Sequence, residues 1–316
     1  MRNKNLPLQY LTSLLLIVTS CFMFSSCLKD DSDYERQVKI DDQIISKYLM
    51  DNNIQAQKNS IGFYYKVITP NNSGTTLKQD DVVSFYYTVS LLNGTLLETN
   101  DQPDDQPAQF KLLNYAMIPE GLDYGISKMK VGEKYRFFIP SYLAFGSYGC
   151  SDFPANSNFI IDVEVADTQS ETEINDIQLD SIENYVNANY ELFNKYTSGL
   201  YFIDSIPGNG NKPFAGDMVT IDFTRKYLNN IVIKTVQETS IYLDHNQAVQ
   251  GLEEGIKLMK EEGSAILIMP SSLAFKQSLC VIPQKTRKEM LDDKLISAEV
   301  LPYSIVKYIV KLKSIN

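Results

Sequence analysis

Apolar and polar residues alternate along several short stretches of the chain, and this period of two is typical of β-strands that bury one face. The clearest stretch is residues 80–94, DDVVSFYYTVSLLNG, in which Val83, Phe85 and Tyr87 share one face. It ends in Asn93–Gly94, a dipeptide that strongly favours a tight hairpin turn. These residues are therefore predicted to enter an antiparallel strand pair.

Other stretches repeat their apolar residues every three to four positions, which is the period of an amphipathic helix. One lies near residues 44–53, where a single apolar stripe is predicted to contain Ile40, Ile44, Ile45, Tyr48 and Leu49. Two shorter helices are predicted at residues 121–129, GLDYGISKM, and 251–259, GLEEGIKLM. The chain is thus expected to combine short helices with antiparallel strands.

The same order of elements occurs twice. GLDYGISKMKVGEKYRFFIPSYLAFG begins at Gly121, and its counterpart GLEEGIKLMKEEGSAILIMPSSLAF begins at Gly251. Residues 80–94 likewise match residues 215–230. A period of about 130–137 residues indicates a duplicated domain rather than a solenoid. Each unit contains a helix, a strand, a turn, a strand pair, a short helix, a strand, a loop and a final strand, which is an α+β arrangement.

The N-terminus carries a largely apolar run, Leu11–Phe24, that is too short to span a bilayer comfortably and suits the core of a signal peptide. FSSC, residues 24–27, is similar to a lipobox and predicts acylation of Cys27. VTSC, residues 18–21, matches the usual pattern better, but cleavage there would leave FMF on the mature chain. An ordinary secretory signal cut near Ser26 is the remaining alternative.

The residues after Cys27, LKDD, resemble the acidic sorting signal of surface lipoproteins in some gram-negative bacteria. With either kind of signal the mature chain leaves the cytoplasm. The expected location is the outer membrane or the cell surface, with a lipid anchor at the N-terminus.

Charge and cysteine content narrow the classes of function. A formal charge of −10 and a pI of about 4.8 argue against nucleic-acid binding, which needs a basic surface. Beyond the signal, the cysteines are Cys150 and Cys280. A disulfide between them would tie the two units together, but two free thiols are the favoured interpretation because sequence cannot establish the geometry.

Other chemistry finds little support. The lone histidine, His245, lies in a polar turn, and no cysteine spacing or glycine-rich loop indicates a metal or phosphate site. Asp101, Asp104 and Asp105 are expected to form a solvated turn rather than a calcium site. Neither a metal nor a cofactor is predicted.

The stretches VSFYYTVSLLNGTLLET, IPEGLDYGISKMKVGEKYRFFIPSYLAFG and NFIIDVEV, between roughly Gly62 and Asp167, resemble the FK506-binding-protein type of peptidyl-prolyl isomerase. The second unit is similar to a diverged copy through VQGLEEGIKLMK and MPSSLAF. The resemblance implies an α+β fold of two tandem half-barrels, each an antiparallel sheet wrapped round a short helix and preceded by an N-terminal helix. It also implies an apolar pocket that accepts a proline side chain.

The resulting domain prediction has five parts. Residues 1–26 are a lipoprotein signal peptide and 27–58 a tether with a helix. Residues 59–168 form the isomerase-like domain, 169–200 a linker with a helix, and 201–316 the second, diverged domain. The join between the units is predicted in the polar residues DTQSETE, 167–173.

The resemblance places eight residues of the first unit in the site. The catalytic positions are Tyr87, Glu98, Ile118 and Phe145, and the substrate-binding positions are Leu97, Phe110, Leu122 and Ile161. Ile118 matches a residue whose backbone N–H holds the substrate carbonyl. Leu122 stands where the family often has a tryptophan floor, and Phe145 replaces a tyrosine. Without the resemblance, most of these apolar residues would be interpreted as ordinary core.

The matching positions of the second unit have changed further; they are Phe223, Ile233, Lys234, Val249, Leu252, Phe275 and Tyr308. Lys234 replaces the acid, and a longer stretch, Lys276–Pro302, follows the LAF motif. Its residues KTRKEMLDDK predict a short solvated helix at the mouth of the pocket. Catalysis is therefore expected in the first unit.

The implied function is cis–trans isomerisation of proline-containing polypeptides outside the cytoplasm. An apolar, water-poor pocket can favour the twisted amide over the planar one without a nucleophile or cofactor. Several aromatic walls of the family are aliphatic in this chain. The alternatives are therefore a non-catalytic peptide-binding or chaperone-like lipoprotein that retains the fold, and a purely structural lipoprotein.

Overall fold

The computed structural model describes residues 32–102 and 104–316. The predicted signal peptide and Cys27 lie outside the described residues. Two antiparallel sheets, one for each repeat, pack against short helices, so the α+β fold of two tandem half-barrels is confirmed.

The first unit begins with a helix and ends with the longest strand of its sheet. Its elements are α1 (Asp33–Asp51), β1 (Gln57–Lys58), β2 (Tyr64–Thr69), β3 (Val82–Leu91), β4 (Leu96–Thr99), β5 (Ala108–Lys111), β6 (Met117–Ile118), α2 (Glu120–Ile126), β7 (Lys134–Ile139) and β8 (Phe159–Gln169). The strand order is β1-β2-β7-β8-β3-β4, with β5 also paired to β3. Leu122 and Ile126 of α2 are fully buried in the core cluster of this sheet.

The second unit repeats the plan with one extra helix. Its elements are α3 (Glu171–Asn189), β9 (Asn194–Lys195), β10 (Tyr201–Ile206), β11 (Met218–Tyr227), β12 (Val232–Tyr242), α4 (Gln250–Leu258), β13 (Ser264–Met269), β14 (Cys280–Val281), α5 (Thr286–Asp292) and β15 (Val306–Ile315). The strand order is β12-β11-β15-β13-β10-β9. The central strands β2-β7-β8-β3 and β10-β13-β15-β11 therefore have the same order, as a duplication requires.

Both long helices begin with the same capping arrangement. The Ser32 hydroxyl accepts the Glu35 N–H at 3.2 Å, and the Glu35 carboxylate accepts the Ser32 N–H at 2.8 Å. Ser170 and Glu173 repeat this exchange at 3.2 and 2.7 Å. Such a capping box satisfies amide groups that a helix start leaves free. The polar join predicted at residues 167–173 is consequently the end of β8 and the start of α3.

The predicted apolar stripe of α1 is wrong on one side. Ile45 and Leu49 are buried, but Ile40 and Ile44 are 46% and 45% exposed. The buried face instead includes Asp41, whose carboxylate accepts the Ser141 hydroxyl at 2.6 Å. This hydrogen bond fixes the rotation of the helix about its axis, which periodicity alone does not specify.

The two GLxxG helices lie close to their sheets. A Cβ atom on Gly125 would be 2.7 Å from the Phe137 ring, and one on Gly255 would be 2.3 Å from Leu267. A Cβ atom at either position would force the neighbouring side chain to shift, so the motif is explained by close packing of helix on sheet. Within residues 32–102 and 104–316, none of the helices combines the length and apolarity that a membrane crossing needs.

Candidate functional site

The predicted pocket residues of the first unit come together between α2 and the sheet. They lie on different elements: Tyr87 on β3, Leu97 and Glu98 on β4, Phe110 on β5, Leu122 on α2 and Ile161 on β8. The five apolar and aromatic members belong to one buried cluster, and the Phe145 ring packs against it. Folding therefore assembles the predicted set around a common centre.

The polar groups of the site are Tyr87, Glu98 and the backbone of Ile118. The Tyr87 hydroxyl donates a hydrogen bond to the Glu98 carboxylate. Burial, together with the charge of Glu98, raises the pKa of Tyr87 far above its usual range. Tyr87 therefore stays a neutral donor that holds the Glu98 carboxylate in place.

A segment of the second unit occupies this site. Cys280–Lys285 is called the inserted segment below, and Cys280 and Ile282 are members of the core cluster of the first unit. Cys280, Val281 and Ile282 are 1%, 0% and 0% exposed, and Pro283 is also buried. The stretch Lys276–Pro302 thus covers the pocket of the other unit, whereas the sequence placed it at the mouth of its own.

The main chain of the inserted segment satisfies the polar groups of the pocket. β14 pairs in parallel with β6, Cys280 opposite Met117 and Val281 opposite Ile118. The Cys280 N–H donates to the Ala116 carbonyl and the Ile282 N–H to the Ile118 carbonyl, both at 2.8 Å. In this parallel register the Ile118 N–H is directed at the Cys280 carbonyl.

Glu98 receives the far end of the segment. The Gln284 and Lys285 amides donate to its two carboxylate oxygens at 2.8 and 2.9 Å. With Tyr87 as a third donor, the partly buried carboxylate has the hydrogen bonds that a charge partly removed from water requires.

Helix α5 continues from the segment and borders the first unit. A short helix does form there, but Thr286, Arg287 and Met290 are buried, so the prediction of a solvated helix is wrong on that face. The Glu289 carboxylate accepts the Ser151 N–H at 3.0 Å and the Ser151 hydroxyl. These hydrogen bonds lower the pKa of Glu289. One face of the helix is therefore buried, and Met290 on that face lies beside Ile118 and Phe145 of the first unit.

Further polar contacts complete the border between the units. The Tyr148 hydroxyl lies 3.2 Å from Asp293, and the Lys285 ammonium lies 3.1 Å from Asp152. Beside them, Ile118 and Phe145 line a cavity of about 400 Å³ together with Met290 and Leu295 of the second unit. The site of the first unit is therefore built partly from the second.

The cysteines do not pair, since both Cys150 and Cys280 are free thiols. Burial raises the pKa of the Cys280 thiol to about 12. In the described part of the chain, Cys150, Asp152 and Glu289 bring metal-ligating atoms within 4.8 Å of one another. Asp152 is already paired with Lys285 and Glu289 with Ser151, so this group is explained by contacts between the units.

The second unit keeps an open pocket at the matching place. Its cavity measures about 600 Å³, and the lining includes six of the seven predicted positions: Phe223, Lys234, Val249, Leu252, Phe275 and Tyr308. Ile233 lines a neighbouring cavity instead. The apolar walls have thus been retained where no inserted segment fills the space.

A buried arginine, which the sequence analysis did not identify, sets this second pocket apart. Arg225 is 6% exposed and lies among the lining residues. Its guanidinium stacks 4.6 Å from the centre of the Phe275 ring, donates to the Tyr308 hydroxyl at 3.3 Å and pairs with Glu299. The only signal in the sequence was an arginine in an otherwise alternating strand.

The profile of the FKBP-type peptidyl-prolyl cis-trans isomerase family matches residues 73–166 and 209–313. The two matches correspond to the two half-barrels and together cover more than half of the chain. The chain therefore belongs to the FKBP-type peptidyl-prolyl cis-trans isomerase family, with two tandem domains.

Two relatives illustrate the match. The FKBP-type peptidyl-prolyl cis-trans isomerase FkpA of Aeromonas hydrophila is 38% identical over 93 residues, which are 29% of this chain and 33% of the relative. FK506-binding protein 2 of Dictyostelium discoideum is 33% identical over 111 residues, 35% of this chain and 80% of the relative. The chain thus spans about a third of the length of FkpA.

Among solved structures, the three FKBP domains of wheat FKBP73 are similar to this chain. The identity is 17% and the TM-score 0.32, and the alignment covers 83% of this chain and 99% of the wheat chain.

Proposed function

We propose that the protein catalyses cis–trans isomerisation of Xaa-Pro bonds in exported polypeptides, and that the first unit carries the activity. The observation that supports this most directly is the composition of its pocket. Tyr87, Leu97, Phe110, Leu122 and Ile161 form an apolar cluster. The polar anchors beside it, Glu98 and the main chain of β6, contact an extended peptide, the inserted segment.

The chemistry needs binding groups rather than a nucleophile. Rotation about an Xaa-Pro bond faces a barrier of about 18–20 kcal/mol, mainly lost amide resonance, and no covalent bond forms or breaks. Leu122 supplies the floor against which a proline ring packs, while the Ile118 N–H donates a hydrogen bond to a substrate carbonyl. A dry pocket that fits the twisted amide better than the planar one lowers the barrier.

Export and anchoring belong to the same proposal. The apolar run Leu11–Phe24 and the FSSC sequence support a lipid anchor on Cys27 at the outer membrane or cell surface. Replacement of the cysteine, Cys27→Ala, is expected to move the protein from the membrane fraction to the soluble fraction. A Cys27→Ala chain that still sediments with membranes would argue for another anchor or an uncleaved signal.

The activity is tested with residues 28–316 and a short Xaa-Pro peptide, in the parent chain and in a chain opened by replacing Val281–Pro283 with Gly-Ser-Gly. Phe145 and Phe275 end the two LAF motifs and provide a matched pair. Phe145→Ala in the opened chain is expected to lower kcat/KM about tenfold. Phe275→Ala is expected to leave it unchanged.

Two results would count against the proposal. If neither the parent nor the opened chain accelerates isomerisation while both keep native circular dichroism, the proposed isomerase activity is contradicted. Loss of activity on Phe275→Ala but not on Phe145→Ala would move the activity to the second unit.

A second candidate function is peptide binding without catalysis by the second unit. The open cavity of about 600 Å³ favours binding. The paired charge of Arg225 inside it opposes the desolvation on which rotation depends. Binding of a fluorescent Xaa-Pro peptide that is abolished by Phe275→Ala, with unchanged isomerisation, would support this role.

A further inference from the structure

The inserted segment belongs to the second unit but is buried in the first. In the first unit, residues 144–158 connect the 3-10 helix Ser141–Leu143 to β8. In the second unit, residues 274–305 fill the matching interval, roughly twice the length, and contain β14 and α5. The additional chain does not cover the cavity of its own unit, which remains open. The tip of this longer loop, which is the inserted segment, is instead buried in the first unit.

The two ends of the loop of residues 274–305 are hydrogen-bonded to each other within the second unit. The Arg287 guanidinium donates to the carbonyls of Leu279 and Ala298, and the Ser278 hydroxyl donates to the Val300 carbonyl at 2.6 Å. Burial lowers the pKa of Arg287. These bonds close the loop behind the tip, so residues 280–285 project from a fixed platform.

The tip is held the way a bound polypeptide would be held. Its backbone pairs with β6 on one side and with the Glu98 carboxylate on the other, while Cys280 and Ile282 enter the apolar cluster of Tyr87 and Leu122. Addition of a strand to an exposed edge is a general mode of peptide recognition. The sequence of the tip, Ile282–Pro283, is itself an Xaa-Pro pair.

We infer that the inserted segment is a tethered competitor that keeps the pocket of the first unit closed, and that a proline-containing polypeptide gains access only by displacing it. This inference rests on the proposed isomerase function of the first unit. A tethered peptide has an effective concentration on the order of millimolar. Short free peptides therefore compete poorly, whereas a long unfolded chain with several contacts competes well.

The contacts suggest how displacement begins. At the border the Ser151–Glu289, Tyr148–Asp293 and Lys285–Asp152 contacts are partly exposed, and such polar pairs are individually weak and screened by salt. The apolar tip supplies the specific part of the closure. Release therefore requires loss of a few rim contacts and exchange of the tip for a polypeptide of similar character.

The test uses residues 28–316 in a Cys150→Ser background, so that Cys280 is the reporting thiol. Three chains are compared: the parent, the opened chain with Val281–Pro283 replaced by Gly-Ser-Gly, and a control, Leu192→Ser, at a residue that is 85% exposed. The readouts are isomerisation of a short Xaa-Pro peptide and binding of a fluorescent peptide that carries residues 278–287. Maleimide labelling of Cys280 reports the position of the tip.

The opened chain is expected to isomerise the short peptide at least tenfold faster than the parent and the control. The opened chain should bind the fluorescent peptide and be inhibited by it. The parent should not bind the fluorescent peptide. In the parent, labelling of Cys280 should be slow, because the thiol is buried, and should accelerate when an unfolded proline-rich polypeptide is added.

The failures can be told apart. Equal and substantial activity of parent and opened chains overturns the closure and leaves the isomerase standing. If both chains are inactive and the fluorescent peptide binds to the opened chain alone, the proposed isomerase activity is contradicted. The inference that the inserted segment closes the pocket is then supported. If the opened chain does not fold, the parent decides: rapid Cys280 labelling, or labelling that saturating unfolded polypeptide does not change, overturns the inference.

Discussion

In the first unit, the space between α2 and the sheet is filled by Cys280 and Ile282, whereas in the second unit the matching space is an open cavity of about 600 Å³. The helices that frame both spaces share the GLxxG pattern and the same close approach to the sheet. The pattern therefore reports packing alone. The pockets differ in the loop after the second LAF motif, in Lys234, which replaces the acid, and in one further strand position.

That strand position is Val89 in the first unit and Arg225 in the second. Val89 pairs with Ile161 on β8, and Arg225 pairs with Tyr308 on β15, so the two residues are equivalent in the sheet. An aliphatic residue leaves the first pocket apolar. The arginine brings a charge, which Glu299 neutralises. Two copies of one fold have thus acquired pockets of different chemistry.

The largest effect is expected when the first unit receives the arginine of the second. Val89 is fully buried, and the carboxylate of Glu98, its partner on β4, is already hydrogen-bonded to Tyr87 and to the inserted segment. Val89→Arg should therefore cost more than about 4 kcal/mol of unfolding free energy, or prevent folding, because it forces a long charged side chain into a filled apolar cluster. Denaturant unfolding measures this. A cost below about 1 kcal/mol would mean that the two pockets tolerate the same chemistry.

The shared helix provides the next test. Gly125→Ala is expected to destabilise the first unit by about 2 kcal/mol, because the new methyl group meets the Phe137 ring, which is held by Phe63 and Tyr135. Gly255→Ala should cost about 1 kcal/mol, since the Leu267 side chain can change its rotamer. Urea unfolding of the two variants gives the comparison. A stabilising effect at either position would show that the close approach is not required.

The two helices also differ in their buried acids, Asp123 and Glu253. Burial raises the pKa of Asp123 to about 6, although its carboxylate accepts the Leu113 N–H at 2.8 Å. The unfolded chain then releases this proton at lower pH than the folded chain. The contribution to stability is therefore greatest below about pH 4 and is lost as the pH rises towards 7, by about 2 kcal/mol.

Asp123→Asn should flatten this part of the stability profile of the first unit. Urea unfolding at pH 4, 5.5 and 7 measures the slope, and Glu253→Gln serves as the matched variant in the second unit. An unchanged slope in Asp123→Asn would assign the pH dependence to another group.

The smallest effect is expected from the reverse exchange, Arg225→Val, because Glu299 keeps its contact with Lys234. Stability should change by less than about 1.5 kcal/mol. The second pocket should bind an Xaa-Pro peptide about tenfold more tightly, since one charged group fewer then lines it. Titration of the parent and the variant with a fluorescent peptide measures the change. Weaker binding by the variant would show that Arg225 contacts the peptide.

Much of the fold could be predicted because its signals are local. The alternation that ends at Asn93–Gly94 gave the β3–β4 hairpin, and Ser170 with Glu173 carries a capping box in four residues. The rotation of α1 could not be predicted in the same way. Periodicity placed Ile40 and Ile44 inside, but the hydrogen bond between Asp41 and Ser141 is made with a residue far along the chain.

The sequence by itself determined the duplication and the two half-barrels, because both depend on patterns within a unit. Its resemblance to the isomerase family indicated that Tyr87, Glu98, Leu122 and Ile161 share one centre. The tertiary structure decided the occupant of that centre. β14 reaches β6 through main-chain hydrogen bonds, which every residue except proline can donate and which leave no signature in side-chain order. The destination of the segment followed from where its apolar tip could be buried.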